Sequence, residues 1–179
     1  MDAYLEIWIE KDALAGVVES VTDRYDVPLM AARGYSSETY LYSTAVELEQ
    51  QNRRCFIYHF GDFDPSGVNA AEKIEEGLRR LASSADITFE RVAVTPAQIA
   101  RWRLPTRPTK TTDSRAARWG GGNDSVELDA IPPNTLRDLV RECIERHMPR
   151  PELERLKAIE DEERQQLLDF LASWRENEE

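Results

Sequence analysis

Three carboxylates stand where apolar runs stop: Glu10 after YLEIWI, and Asp62 and Asp64 after CFIYHF. If the two runs are neighbouring strands, the three acids converge, and carboxylates that close repel one another unless a cation neutralises them. Oxygen donors of high charge suit a hard ion, Mg²⁺ or Mn²⁺. Mg²⁺ keeps several waters and needs only one or two carboxylates, which leaves open positions for a phosphodiester. The ion would polarise the phosphoryl group or lower the pKa of a bound water. The plainer reading is that strand-end acids are solvated or cap helices, and Asp64 before Pro65 suits an N-cap. A D-x-D pair alone is a weak signal; the flanking glycines and the third acid strengthen it.

Other residues gather around this centre. Lys11 suits a catalytic contact to phosphate, against the plain alternative of a solvated lysine. Arg33, with the helix start after Ser36, suits an anion. Glu127 and Asp129, on a short predicted strand over 125–130, are candidates for a second metal site. Residues 101–118 carry six cations and one acid, a net +5, whereas the rest of the chain sums to −16. Arg107, Lys110, Arg115 and Arg118 would track a nucleic-acid backbone there, with Trp102 and Trp119 as stacking platforms. The competing reading pairs these cations with the acidic body. His59 alternates within a strand and His147 lies on an apolar helix face; both read as structural. Two unclustered histidines and no cysteine pair disfavour zinc.

The elements that must position these residues follow from hydrophobic period. Residues 4–10 alternate as a strand, and Asp12 opens a helix with Leu14, Val17, Val18, Val21 and Tyr25 on one face. Residues 27–33 read as a second strand. A helix capped by Ser36 or Ser37 then runs to about Asn52. CFIYHF (55–60) is the continuous run of a strand covered on both faces. Pro65 starts a helix with Val68, Ala71, Ile74, Leu78 and Leu81 as its stripe. ITFERVAV (87–94) is a fourth strand, followed by a Thr95–Pro96–Gln98 capping signature. Residues 103–124, rich in Pro, Gly, Thr and Ser, form a long basic loop. Pro132 and Pro133 start a helix carrying Leu136, Leu139, Val140, Cys143 and Ile144. One or two acidic helices close the sequence. This alternation predicts an α/β fold with a mostly parallel sheet of four or more strands and helices on both faces, and the order taken is 2-1-3-4, which makes strands one and three neighbours. The predicted domains are an α/β body over 1–148 and an acidic helical extension over 149–179. In such folds ligands sit at the carboxyl ends of the strands.

The 179 residues, 41% hydrophobic, suffice for one packed domain and argue against general disorder. Two cysteines cannot form a disulfide framework, and no apolar run reaches the ~18–20 residues of a membrane span. No signal peptide is visible, so the expected setting is soluble, reducing and cytoplasmic, away from membranes.

IEKDA at the first strand end, RGYSS at the second and GDFDPSG at the third resemble the Toprim domain. The version most similar is that of topoisomerase VI A subunits and the related meiotic double-strand-break proteins. The likeness spans about residues 4–95, and SVELDAIPP (125–133) also looks like a later segment of Toprim-containing phage and bacterial proteins. It implies a Rossmann-like Toprim fold in which Glu10, Asp62 and Asp64 bind Mg²⁺ and support breakage or rejoining of nucleic-acid strands. Topoisomerase VI A subunits carry their cleaving tyrosine on a winged-helix domain ahead of the Toprim domain. Only three residues precede the first strand here, and Tyr4, Tyr25, Tyr35, Tyr40, Tyr42 and Tyr58 read as packing residues. The expectation is thus a stand-alone Toprim protein, or a domain partnered with a second subunit, acting as a Mg²⁺-dependent nuclease or topoisomerase-related enzyme on nucleic acid, DNA ahead of RNA. Two alternatives stay open. One is a non-catalytic subunit that binds nucleic acid or a partner. The other is a small-molecule phosphohydrolase of the haloacid-dehalogenase kind, although that class places its D-x-D after the first strand.

Overall fold

The computed structural model describes residues 2–31, 37–109 and 124–176. They form β1 (Tyr4–Ile9), α1 (Asp12–Arg24), β2 (Leu29–Ala31), α2 (Glu38–Gln50), β3 (Cys55–Phe60), α3 (Pro65–Leu81), β4 (Ile87–Ala93), α4 (Pro96–Trp102), β5 (Arg107–Pro108), β6 (Asp124–Ser125), a 3₁₀ turn (Leu128–Ala130), α5 (Pro133–Glu145) and α6 (Arg150–Glu176). β1 to β4 make one all-parallel sheet in the order β2-β1-β3-β4, the expected one. Two compact units divide the chain, Asp2–Ile144 and Glu145–Glu179, and the sheet lies wholly within the first.

Strand β1 is central, and from Leu5 to Ile9 every residue is buried. Trp8 belongs to a core with Cys55 and Ile57 of β3, closed by Leu41, Ala45 and Leu48 of α2 and Ile74 and Leu78 of α3. The alternating Leu5, Ile7 and Ile9 fill the opposite face. α1 packs against β1 and β2. The Arg137 side chain of α5 donates to the Val17 carbonyl of α1 at 2.8 Å. The helix caps follow the sequence closely. Ser37 accepts from the Tyr40 amide, Asp64 accepts from the Gly67 amide, and Thr95 with Gln98 forms a complete capping box.

Three expectations need correction. The strand over 125–130 is confined to β6, which pairs antiparallel with β5 outside the main sheet, and its remainder turns into the 3₁₀ turn. The cause is a hydrogen bond, described below, that draws the Leu128 amide out of any ladder. α5 ends at Glu145, so His147 follows the helix rather than lying on its face. Tyr42 is 60% exposed and packs no core, whereas Tyr25 and Tyr58 are buried; Tyr35 lies outside the described residues. The C-terminal segment is one 27-residue helix, α6. No helix of the described residues is long and apolar enough to cross a membrane.

Glu6 is the anomaly of this core. It is fully buried and accepts from Trp8 Nε1 at 2.6 Å and from the Tyr4 hydroxyl at 2.9 Å. Burial pushes its pKa above the ordinary 4.5, against the opposing pull of those two hydrogen bonds. The native chain therefore holds this proton more tightly than the unfolded chain. The resulting stability is full below the unfolded pKa and is lost as pH rises through the folded one. Glu6→Gln keeps the acceptor and removes the charge. Urea unfolding from pH 4 to 8 should show the wild type losing stability relative to Glu6→Gln as pH rises; a constant difference would show that Glu6 titrates alike in the folded and unfolded chains.

Candidate active site

Parallel pairing brings the ends of β1 and β3 side by side, with Ile9 opposite Phe60. The Glu10 amide extends the ladder to the Phe60 carbonyl at 2.9 Å. Past that point the chains diverge, and the Glu10 side chain reaches across to accept the Asp62 amide through Oε2 at 2.9 Å. Glycine makes this approach possible. A Cβ on Gly61 would sit 2.5 Å from Glu10 Oε2 and 2.7 Å from His59 Cε1; one on Gly67 would sit 2.7 Å from the Asp62 carbonyl and 3.2 Å from Glu10 Oε2.

Asp62 is held in turn by the segment after β6. Its Oδ1 accepts the Leu128 amide at 2.7 Å. Phe63 and Val126 exchange both backbone hydrogen bonds, at 2.8 and 2.9 Å, as an isolated antiparallel bridge. Asp64 caps α3, its Oδ1 accepting the Gly67 amide at 2.6 Å. Each of the three acids thus commits one oxygen to a backbone N–H and keeps its other oxygen without a hydrogen bond among the described residues.

Lys11, Glu127 and Asp129 form a second layer. The Lys11 ammonium donates to Glu127 Oε2 at 2.9 Å and Asp129 Oδ2 at 3.1 Å, and lies 3.8 Å from Asp62 Oδ1. Glu127 also receives the exposed guanidinium of Arg107 at 2.5 Å. Glu127 and Asp129 are therefore counter-ions of lysine here, and Glu127 also of arginine. Arg33, Lys110, Arg115 and Arg118 lie outside the described residues. Glu10, Lys11, Asp62, Asp64, Arg107 and Glu127 share one open cleft of about 610 Å³.

The electrostatics follow from crowding. Burial raises the Glu10 pKa, and the charges of Asp62 and Asp64 add to it, while the Asp62 amide and Arg91 oppose. Burial likewise raises that of Asp62, against the Leu128 amide and Lys11. For Lys11, burial pulls down but the hydrogen bonds to Glu127 and Asp129 outweigh it, and the net shift is upward. His59, nine-tenths or more buried, is pushed down to about 3 by burial and by Arg91, so it is neutral and takes no acid–base part.

Sequence reasoning missed Arg91. It sits on β4 opposite His59, where the β3–β4 register shifts. Its guanidinium donates to the carbonyls of Val94, Gly61 and Asp62, at 2.5, 3.2 and 2.5 Å. The available signal was a lone arginine in the otherwise apolar end of ITFERVAV.

Among the described residues no group of three or more His, Cys, Asp and Glu side chains is arranged to hold a metal ion. The residues do not make a three-carboxylate cage. They do fit a hard divalent ion taken through one or two carboxylates, because Glu10, Asp62 and Asp64 line the cleft, each with one oxygen not hydrogen-bonded among the described residues. Compared with known proteins, the chain matches no family model and no curated protein. The Toprim likeness rests on the motifs themselves.

The glycine walls are testable. Gly61→Ala should destabilise by roughly 1–3 kcal/mol, the usual range for overpacking. It should also shift the Asp62 amide resonance by displacing the Glu10 carboxylate. Gly16 of α1 has nothing within 4 Å of a built Cβ, so Gly16→Ala should stabilise by about 0.5–1 kcal/mol through helix propensity. Equal effects at the two positions would remove the steric account of Gly61.

Proposed function

We propose that this chain is a Toprim-like protein acting on nucleic-acid phosphodiesters with Mg²⁺ or Mn²⁺. One or two of Glu10, Asp62 and Asp64 would hold the ion directly, the remaining acid facing it across the cleft. The observation that carries the reading is the reach of Glu10 from β1 to the Asp62 amide after β3. That contact crowds partly buried acids at the carboxyl edge of a parallel sheet, where α/β folds bind ligands. The ion, when bound, would supply Lewis-acid polarisation of the phosphoryl group and acidify a water.

The chain's own residues do the rest. Committing one oxygen of each acid to a backbone N–H fixes the carboxylates before any ligand arrives, so little reorganisation remains for binding. Lys11 lines the cleft beside Asp62 and is available to a phosphate oxygen once Glu127 or Asp129 releases it. Arg107, 76% exposed at the rim, suits the backbone of a longer substrate. DNA is favoured over RNA as the partner, and a second protein subunit would complete the machinery. The two buried cysteines, neither of them in a disulfide, accord with a reducing, cytoplasmic setting.

A second reading has its own observation. Lys11 already brings a cation to Asp62, so the acids need no metal to coexist, and a non-catalytic binding subunit would have the same constellation. Purified protein incubated with single- and double-stranded DNA and RNA, with Mg²⁺, Mn²⁺ or chelator, separates the two. Metal-dependent cleavage is expected, and Glu10→Gln or Asp64→Asn should abolish it with circular dichroism unchanged. Cleavage surviving either substitution, or absent on every substrate, favours the binding subunit.

Salt dependence tests the nucleic-acid half independently. Each phosphate contact on duplex DNA contributes roughly −0.9 to the log–log slope of affinity against salt. Arg107→Ala should flatten the slope by about one unit, with affinity falling alike for all sequences. Its ion pair with Glu127 is exposed, so stability should change by no more than about 1 kcal/mol. A flat slope in the unmodified protein would end the nucleic-acid reading.

A further inference from the structure

We infer that Arg91 is the positioning residue of this site, setting the orientation of two consecutive peptide planes from beneath the acid-bearing turn. A trans peptide points its C=O and N–H in opposite directions. Arg91, at 3.2 Å, shares the Gly61 carbonyl with the Val94 amide, at 2.7 Å, so the Asp62 N–H of that plane points the other way, onto Glu10 Oε2. Arg91 also holds the Asp62 carbonyl, so the Phe63 N–H of the next plane points away from it, onto the Val126 carbonyl. The first plane delivers the donor that fixes Glu10. The second secures the segment whose Leu128 amide fixes Asp62. A third bond, to the Val94 carbonyl, anchors the guanidinium to the end of β4.

Only arginine suits this task. Its planar fork offers several donors in fixed directions, whereas lysine is a point charge on a flexible stem. No carboxylate lies within ion-pair distance of Arg91 among the described residues. Its charge still acts on Glu10, Asp62 and Asp64 through the field. Arg91 lies outside the residues lining the cleft, and so would act on a ligand only through the carboxylates it aims.

This role in function rests on the metal-dependent reading above, so the test keeps the two apart. Amide hydrogen exchange is measured by NMR on the full chain without added metal, for wild type, Arg91→Lys and Arg91→Gln. Mn²⁺ affinity is measured in parallel by electron paramagnetic resonance. In both variants exchange at Asp62 and Phe63 should quicken at least ~tenfold, while Ile57 and Tyr58 inside β3 keep their protection. Mn²⁺ affinity should fall ~tenfold in both, because charge without the fork does not restore the two planes. Unchanged exchange at Asp62 and Phe63 overturns the inference. So does full restoration by lysine, loss of protection equally at Ile57 and Tyr58, or outright unfolding of both variants, since each makes Arg91 a charge or a core support. A wild type that binds no Mn²⁺ overturns the functional reading instead, and the exchange pattern still decides the role of Arg91.

Discussion

One hydrogen bond organises the site: the Asp62 amide given to the Glu10 carboxylate across the ends of two parallel strands. It closes the gap left where the β1–β3 ladder stops. It also brings together acids that electrostatics alone would separate, since a donated N–H favours the charged form while neighbouring carboxylates oppose it. Everything nearby serves that contact. Gly61 and Gly67 leave the volume it occupies, Asp64 caps the helix whose first turn carries Gly67, and the segment after β6 supplies the Leu128 amide that holds Asp62.

The acids of the site are partly neutralised without any added ion. Lys11 faces Glu127, Asp129 and Asp62, and Arg107 faces Glu127. Most of these groups are partly exposed, so each pair contributes little to stability. Their weight lies in specificity: a phosphate entering the cleft would compete with carboxylates for the same two cations. A pocket arranged this way would discriminate against weak anions, because the resident acids would have to be displaced before a ligand gained anything.

Much of the framework was legible because its signals are local. The period-two run at Tyr4–Ile9, the proline at the start of α3 and the Thr95–Gln98 capping box each depend on residues within one turn or strand. The parallel sheet follows from the strand–helix–strand alternation, which leaves strand order open; 2-1-3-4 is an order that makes the three acids converge. The unreadable parts depend on contacts distant in sequence. Val126–Leu128 resembles a strand by composition, but the bonds from Phe63 and Asp62, more than sixty residues earlier, turn it into a bridge and a 3₁₀ turn. Glu6 alternates as though solvent-facing, and only the placement of β1 at the sheet's centre buries it. The importance of Arg91 lies in three carbonyls, groups every residue carries, so no side-chain pattern announces it.

The position of β1 also bears on how the chain is made. β1, one of the two inner strands, is synthesised before the neighbour that completes its pairing, since Tyr4 aligns with Cys55 and Ile9 with Phe60. At ribosomal rates of roughly 5–20 residues per second, β1 waits about 3–10 s for β3. During that interval Leu5, Ile7, Trp8 and Ile9 lack their final cover, and α1, β2 and α2 are the elements available to shield them. The nascent chain therefore passes through a stage in which its most apolar strand is exposed to chaperones and to neighbouring polysomes, and the speed of translation through residues 10–55 sets how long that stage lasts.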